Sequence, residues 1–278
     1  RENFRNKIYK NYKANRGETP EDLIPQFNLI KSCVKAFNIP QLEIEGYEAD
    51  DIIATYSSIA SKLNMSSLIV SSDKDLMQLV NEKVKMLDPM KNKKIGINEV
   101  IEKFGVEPNK VVQIQALTGD KIDNIPGAPG IGPKTALELI KEFGDIESLI
   151  KNAKKIKQEK RRNIILESQS DIRISLKLVT LDKKIDLPLK IEEVEPYASI
   201  KNSTKSIYNF LQEQGFRAIQ QRIENNSFIN NVSLNGDNKT SNNKKATLNH
   251  ITINKLNKLN EIISEIKNLG FVSIDTET

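Results

Sequence analysis

Seven carboxylates fall in three tight groups along this chain: Glu48, Asp50 and Asp51 in EGYEADD, Asp73 and Asp75 in SSDKD, and Asp120 and Asp123 in GDKID. Gathered in one place they would repel by roughly several kcal/mol unless cations neutralised them. Magnesium suits such an all-oxygen set, because it is hard and keeps waters through which carboxylates can act as well as directly. A pair of such ions about 3.5 to 4 Å apart orients a water and stabilises the attacking and leaving oxygens of a phosphodiester. Each group also has a plainer reading. Acids in a first helical turn gain about 0.3 to 1 kcal/mol from the helix dipole, and Asp73 can cap a helix that begins at Asp75. Three groups, each at the end of an element, favour a shared metal pocket into which Asp73 and Asp75 both face.

Other chemistries are excluded by what the chain lacks. Cys33 is its single cysteine and His250 its single histidine, so an internal disulfide, a zinc site and a histidine-based triad all fall away. A second motif is IPGAPGIGPKTALELIKEFG, where Gly130 and Gly132 flank Ile131 in a tight turn and Pro133 suits a first helical position. Lys134 and Thr135 follow at once. Backbone N–H groups at such a helix start, with no side chain in the way, make a phosphate site. The form is that of a helix-hairpin-helix, which grips DNA backbone without reading bases. The plainer reading is a glycine turn that only joins two helices.

The elements that must position these groups are legible from periodicity. Phe4, Ile8 and Tyr12 at four-residue spacing predict a helix ending near Gly17, with Lys13 and Arg16 sharing a face. Thr19, Pro20 and Asp22 predict the start of a second helix running to Phe37. A short strand is expected around Leu42 to Ile44, a helix over IIATYSSIASKLN, a strand at SLIVSS, a helical turn at DLMQLV and a strand at VKMLD. Strands alternating with helices imply an α/β core with a mainly parallel sheet and ligands beyond the carboxyl ends of its strands. From residue 98 to 222 helical spacing dominates. Residues 223–249 are rich in asparagine and poor in large apolar groups, and read as a flexible linker. Leu256, Leu259, Ile263, Ile266 and Leu269 mark another amphipathic helix closed by Gly270, and FVSIDTET begins a strand.

The whole composition agrees with a polyanionic partner. Net charge is +5 over 278 residues, and the signs are segregated. Residues 1–16 hold six basic side chains against Glu2 alone, residues 151–162 hold seven against Glu159 alone, and residues 43–51 hold five acids and no base. Basic stretches around an acidic pocket attract phosphate while holding cations; lysine-rich runs that are merely solvated helix faces are the alternative. No run of eighteen apolar residues is present and the first residues lack the apolar middle of a signal peptide, so a cytoplasmic protein with no membrane span is expected. The start at Arg1 reads as that of a fragment.

EADD, SSDKDLMQLV and LTGDKIDNIPGAPGIGPKTA, in that order and spacing, resemble the 5′ nuclease domain family of bacterial DNA polymerase I, relatives of the flap endonucleases. The resemblance covers residues 1 to about 222. It implies a PIN or flap-endonuclease-like core (1–97) followed by a helical helix-hairpin-helix part (98–222). It implies that Glu48, Asp50, Asp51, Asp73, Asp75, Asp120 and Asp123 are metal-site carboxylates, with two magnesium ions or manganese in their place. Lys13 and Arg16 match a basic gateway helix that contacts the scissile phosphate, and Tyr12 a position that stacks on the terminal base. Gly130, Ile131, Gly132, Lys134 and Thr135 match the duplex-binding hairpin, which in relatives also holds a potassium ion. The implied substrates are DNA with a 5′ flap or nick and RNA primers, cleaved by a monomer. Residues 250–278 resemble the start of the same polymerase's 3′-5′ proofreading domain, where Asp275 and Glu277, two apart on a strand, would begin a metal site. The family opens with a strand bearing a first metal-binding aspartate, and a second aspartate precedes the gateway helix. Neither has a counterpart in these residues, so impaired activity of this segment alone is expected.

Two rivals stand beside this reading. One is a non-catalytic helix-hairpin-helix module that binds DNA and uses its acids only as caps. The other is a ribonuclease of the PIN type, against which the GIGPKTA hairpin speaks.

Overall fold

The computed structural model describes residues 2–193, 204–225 and 256–269. The chain divides into two compact units, residues 1–232 and 233–278.

The first unit begins with helix α1 (Phe4–Ile8), capped by the Asn3 side chain, which accepts from the Arg5 N–H. The helix expected to reach Gly17 stops at Tyr9, whose backbone is extended, and the chain then winds through turns in which Lys13 adopts φ 60°. The reason is tertiary: the Lys13 N–H donates to the Asp123 carbonyl at 2.8 Å, and Tyr12 is buried in the core while Ile8 is exposed. Helix α2 (Gln26–Ala36) begins later than Thr19–Pro20 suggested, because residues 21–25 form turns closed by hydrogen bonds three residues apart and Pro25 takes the cap position. Residues 42–44 are not a strand; they pair with no other strand among the described residues.

Helix α3 (Ala49–Lys62) leads to strand β1 (Ser67–Val70), then a short 3₁₀ helix at Asp75–Leu79 and strand β2 (Val84–Asp88). Strand β3 (Lys93–Ile95) is one that the sequence pattern missed; at three residues it is too short for a visible alternation. The sheet has three strands in the order β1-β2-β3, with β1 and β2 parallel and β3 antiparallel to β2. Ala54, Ile69, Leu76, Val84, Met86 and Val100 lie in its core.

Helices α4 (Ile97–Phe104), α5 (Val111–Thr118), α6 (Pro133–Phe143), α7 (Ile146–Lys151), α8 (Glu159–Glu167) and α9 (Gln169–Val179) build the helical half. They enclose a second core around Leu117, Leu139, Ile146, Leu149, Ile165 and Ile172. Phe104 packs against both cores, so the two halves share one junction. Helices α10 (Thr204–Glu213) and α11 (Arg217–Asn225) follow, α11 extending slightly into the stretch read as linker. The rest of that linker lies outside the described residues, as do Asp275 and Glu277. In the second unit, helix α12 (Leu256–Leu269) occupies the span its apolar spacing predicts.

Candidate active site

Three short segments place the acids. The first turn of α3 carries Asp50 and Asp51, with Glu48 at its cap. The link from β1 to the 3₁₀ helix carries Asp73 and Asp75. Asp73 is not the cap, which is Lys74 with no side-chain bond; its Oδ1 instead accepts from the Asp75 N–H at 2.8 Å in a turn just ahead of the 3₁₀ helix. The loop after α5 carries Asp120 and Asp123, and it is held closed by paired backbone hydrogen bonds between Asp120 and Ile125 (3.0 and 2.7 Å). Gly119 and Gly127 make this loop possible. Both have positive φ, and a Cβ on Gly119 would stand 2.5 Å from the Ile125 carbonyl oxygen while one on Gly127 would stand 2.5 Å from the Gly119 nitrogen.

Glu48, Asp50 and Asp73 line one open cavity of about 1130 Å³, and Lys13 and Arg16 line it too. Glu48 is the most engaged. Its Oε1 accepts from Asn3 Nδ2 and Lys13 Nζ, both at 2.6 Å. Its Oε2 accepts from the Tyr12 hydroxyl at 3.4 Å. Lys13 and Arg16 do not share a helix face, yet both reach Asp123, at 4.0 and 2.8 Å. Asn15 and Asn124 lace the same two loops together through the Lys121 and Asn11 carbonyls. Lys74 pairs with Asp120 at 2.9 Å, and Gln115 Nε2 donates to Asp75 Oδ1 at 2.5 Å.

Electrostatics joins the three groups into one field. The Asp50 carboxyl is pushed up to about 6 by burial, then by the charges of Asp73 and Glu48, with Asp75 adding to them and Lys13 opposing. Burial and then Asp73 also raise Asp75, which feels Asp120 as well. Burial pushes Asp120 upward too, but the hydrogen bond and charge of Lys74 and the N–H groups of Asp123 and Ile122 outweigh it and hold Asp120 below the usual range.

Three expected site residues have other places. Asp51 is not in the cavity: it is 0% exposed and forms a two-pronged ion pair with Arg5, itself 1% exposed, at 2.6 and 2.7 Å. It also accepts from the Asp182 N–H at 2.9 Å, while Arg5 donates to the Leu178 and Thr180 carbonyls. Asp51 thus ties the start of α3 to α1 and to the end of α9. Tyr12 is buried with its ring in the helical core and the Lys13 ammonium 5.0 Å above it, so its face is not offered for stacking; burial and the Glu48 charge raise its phenol well above the ordinary range. Ile131 is a core anchor, 4% exposed. Gly130, Gly132 and Lys134 are exposed and Thr135 half-buried. Gly132 caps α6 with open space where a Cβ would stand, and Gly130 has φ +80°. Sequence reasoning passed over Arg5, Asn3 and Gln115, whose roles arise from partners about forty or more residues away.

Among the described residues no group of three acidic, histidine or cysteine side chains is arranged to hold a metal ion directly. Charge and donor chemistry nevertheless fit a hydrated hard cation. Burial first, and then the charges of Asp73 and Glu48, push Asp50 up, and Gln115 Oε1, beside Asp75, is buried with no hydrogen-bond partner among the described residues.

Comparison with known proteins agrees with this architecture. Residues 1–105 match the family described as 5′-3′ exonuclease, N-terminal resolvase-like domain, and residues 106–202 match its C-terminal SAM fold. DNA polymerase I of Rhizobium leguminosarum is 50% identical over 222 residues, 79% of this chain and 21% of that protein. The 5′-3′ exonuclease of Aquifex aeolicus (strain VF5) is 42% identical over 191 residues, 69% of this chain and 65% of that protein. The chain therefore spans about a fifth of the length of the polymerase. Among solved structures, the T5 D15 protein crystallised with metal ions superposes with TM-score 0.59 at 22% identity, covering 76% of this chain and 79% of that one. The T5 5′-exonuclease with bound zinc superposes with TM-score 0.57 at 22% identity, covering 77% and 79%. These likenesses establish the fold.

Proposed function

The chain belongs to the 5′-3′ exonuclease family, and on that premise we propose that it is the 5′ nuclease portion of a DNA polymerase I, cleaving 5′ flaps and RNA primers at nicks by phosphodiester hydrolysis. The observation that carries this reading is the single cavity in which Glu48, Asp50 and Asp73 meet Lys13 and Arg16. Carboxylates alone would repel a phosphodiester and lysines alone would not hold a cation; the pairing of both in one cleft suits metal-assisted cleavage of a polyanion.

Glu48, Asp50, Asp73 and Asp75 would hold divalent ions, magnesium or manganese, with Asp120 and Asp123 acting from the helical side. When bound, two such ions supply electrophilic charge to the phosphate and an acidified water. The protein's own groups do the rest. Lys13 and Arg16 neutralise Glu48 and Asp123 in the free protein. Lying beside the acids in the same cleft, both bases would face a scissile phosphate bound there, where their charge would stabilise what develops in the transition state. Gln115 orients Asp75, and Asn3 orients Glu48. The exposed N-terminus of α6, at Gly130, Gly132, Lys134 and Thr135, would grip the duplex backbone, with a potassium ion in the hairpin as a further expectation. Residues 250–278 are proposed as the start of a proofreading domain carrying Asp275 and Glu277, and the protein as a monomer.

The test is cleavage of a 5′-flap duplex across a magnesium titration. Asp73→Asn in the complete enzyme should abolish cleavage and leave DNA binding in EDTA within a few-fold of wild type. Wild-type cleavage by that variant at saturating magnesium refutes the metal role of Asp73. Binding without cleavage by the unaltered complete enzyme refutes the nuclease reading itself.

A further inference from the structure

At the far end of α3 from the acids lies a second polar cavity, of about 290 Å³, lined by Ser57, Ser58, Ser61, Lys62, Asn81 and Lys183 among others. Ser61 is eleven residues beyond Asp50, or about 16 Å along the helix, so this cavity is separate from the carboxylate cleft. Its chemistry is the opposite of that cleft: hydroxyl groups and two ammonium groups, with no acidic residue in its lining.

Three features mark it as incomplete. Ser61 Oγ is fully buried and has no hydrogen-bond partner among the described residues, not even the carbonyl one turn back that a helical serine ordinarily takes. Ser57, one turn earlier on the same face, is 6% exposed. Burial lowers the Lys183 pKa, and no neighbouring carboxylate acts to restore it. Asn81 is not a free donor: its side chain is spent on the Leu79 carbonyl and on the Lys83 and Val84 N–H groups, which fixes the cavity wall instead. The wall that carries Lys183 is tied down too: the Thr55 hydroxyl, whose proton goes first to the Asp51 carbonyl at 2.9 Å, lies 3.3 Å from the Asp182 carbonyl and accepts from the Ile185 N–H at 3.4 Å.

We propose that this cavity binds a phosphate-sized oxyanion, held by the Ser57, Ser58 and Ser61 hydroxyls and the Lys62 and Lys183 ammonium groups. An oxyanion accepts from several hydroxyl donors at once and supplies the charge that Lys183 lacks, which a single water does not. The negative pole of α3 lies nearby and opposes an anion, but it is a fractional charge and two whole positive charges face it. The occupant would join α3 to the 181–185 segment, the same junction at which Asp182 donates to Asp51. Inorganic phosphate and the phosphate of a 5′-mononucleotide share this chemistry.

The experiment is thermal unfolding and calorimetric titration of the 278-residue chain in EDTA, at matched ionic strength, with chloride, inorganic phosphate or 5′-dAMP. Phosphate should stabilise saturably beyond chloride. Lys183→Met and Ser61→Ala should each weaken binding by about tenfold or more, the cost of losing one hydrogen bond to a charged partner. Ser61→Ala carries an internal control: in chloride it should equal or exceed wild type in stability, because an unsatisfied buried hydroxyl is gone, and in phosphate it should fall below. Tighter binding of 5′-dAMP than phosphate identifies a nucleotide as occupant, and equal binding identifies the free ion. Absence of saturable binding by both, or a Ser61→Ala ranking that does not change between the two salts, overturns the proposal.

Discussion

Replacing Asp51 by alanine separates a structural carboxylate from a metal-binding one, because the two roles predict opposite signs. If Asp51 belonged to the negative cleft, its removal would relieve repulsion and stabilise the protein in EDTA. Its partners argue otherwise: two guanidinium nitrogens at 2.6 and 2.7 Å, the Asp182 N–H at 2.9 Å and the Glu48 N–H at 3.3 Å. Alanine would leave Arg5 buried with the Leu178 and Thr180 carbonyls, at 2.8 and 3.3 Å, and one more distant carboxylate, Glu48 at 3.9 Å, to offset its charge. Breaking one side of such a buried pair costs about 3 to 5 kcal/mol, a large share of the roughly 5 to 15 kcal/mol that holds a domain folded. With a urea m-value of about 2 to 3 kcal/mol/M, the midpoint should drop by about 1 to 2 M. Arg5→Met combined with Asp51→Leu should recover most of the loss, since no unpaired charge remains. An Asp51→Ala midpoint equal to or above that of the parent in EDTA would refute the reasoning.

The neighbouring acid should behave in the other way. In the fold the Asp50 carboxyl keeps its proton to about pH 6 against an ordinary 3.8; its contribution to stability is therefore fully present below 3.8 and lost as pH rises through about 6. Asp50→Asn should then stabilise the metal-free protein at pH 7.5 by about 1 to 2 kcal/mol after allowance for solvent screening, and the gap should vanish near pH 4, as denaturant melts at both pH values would reveal. Gly119→Ala cannot be accommodated beside the Ile125 carbonyl without moving the loop; a loss of about 3 kcal/mol or more is expected, with cleavage falling because Asp120 and Asp123 shift. Lys13→Ala should lower kcat for flap cleavage by about 10² to 10³ with little change in duplex affinity, and an unaltered kcat in single-turnover assays would remove Lys13 from the reaction.

Much of the fold was legible because its signals are local. The apolar spacing of residues 52–63 predicts α3, the run SLIV predicts β1, and Gly132 with Pro133 predicts the start of α6, each from backbone preferences that act within one or two turns. The grouping of the acids along the chain was equally visible, since residue type and spacing need no partner to be read. What escaped was everything settled by a distant contact. Lys13 leaves the helical path that Phe4, Ile8 and Tyr12 suggest because the Asp123 carbonyl claims its N–H. Ile131, between two glycines of an exposed turn, is drawn into the helical core.

The amino-acid order by itself determined that three acidic groups, a glycine hairpin and two basic side chains exist at the ends of elements. Only the tertiary structure decided which acid does what. Asp50 and Asp51 are adjacent, but successive helical side chains point about 100° apart, so one faces the cleft and the other the interior. The interior one is tolerable because Arg5, 46 residues away, is buried opposite it. A charge can leave water only where its counter-charge arrives by folding, and that pairing is written in space, not along the chain.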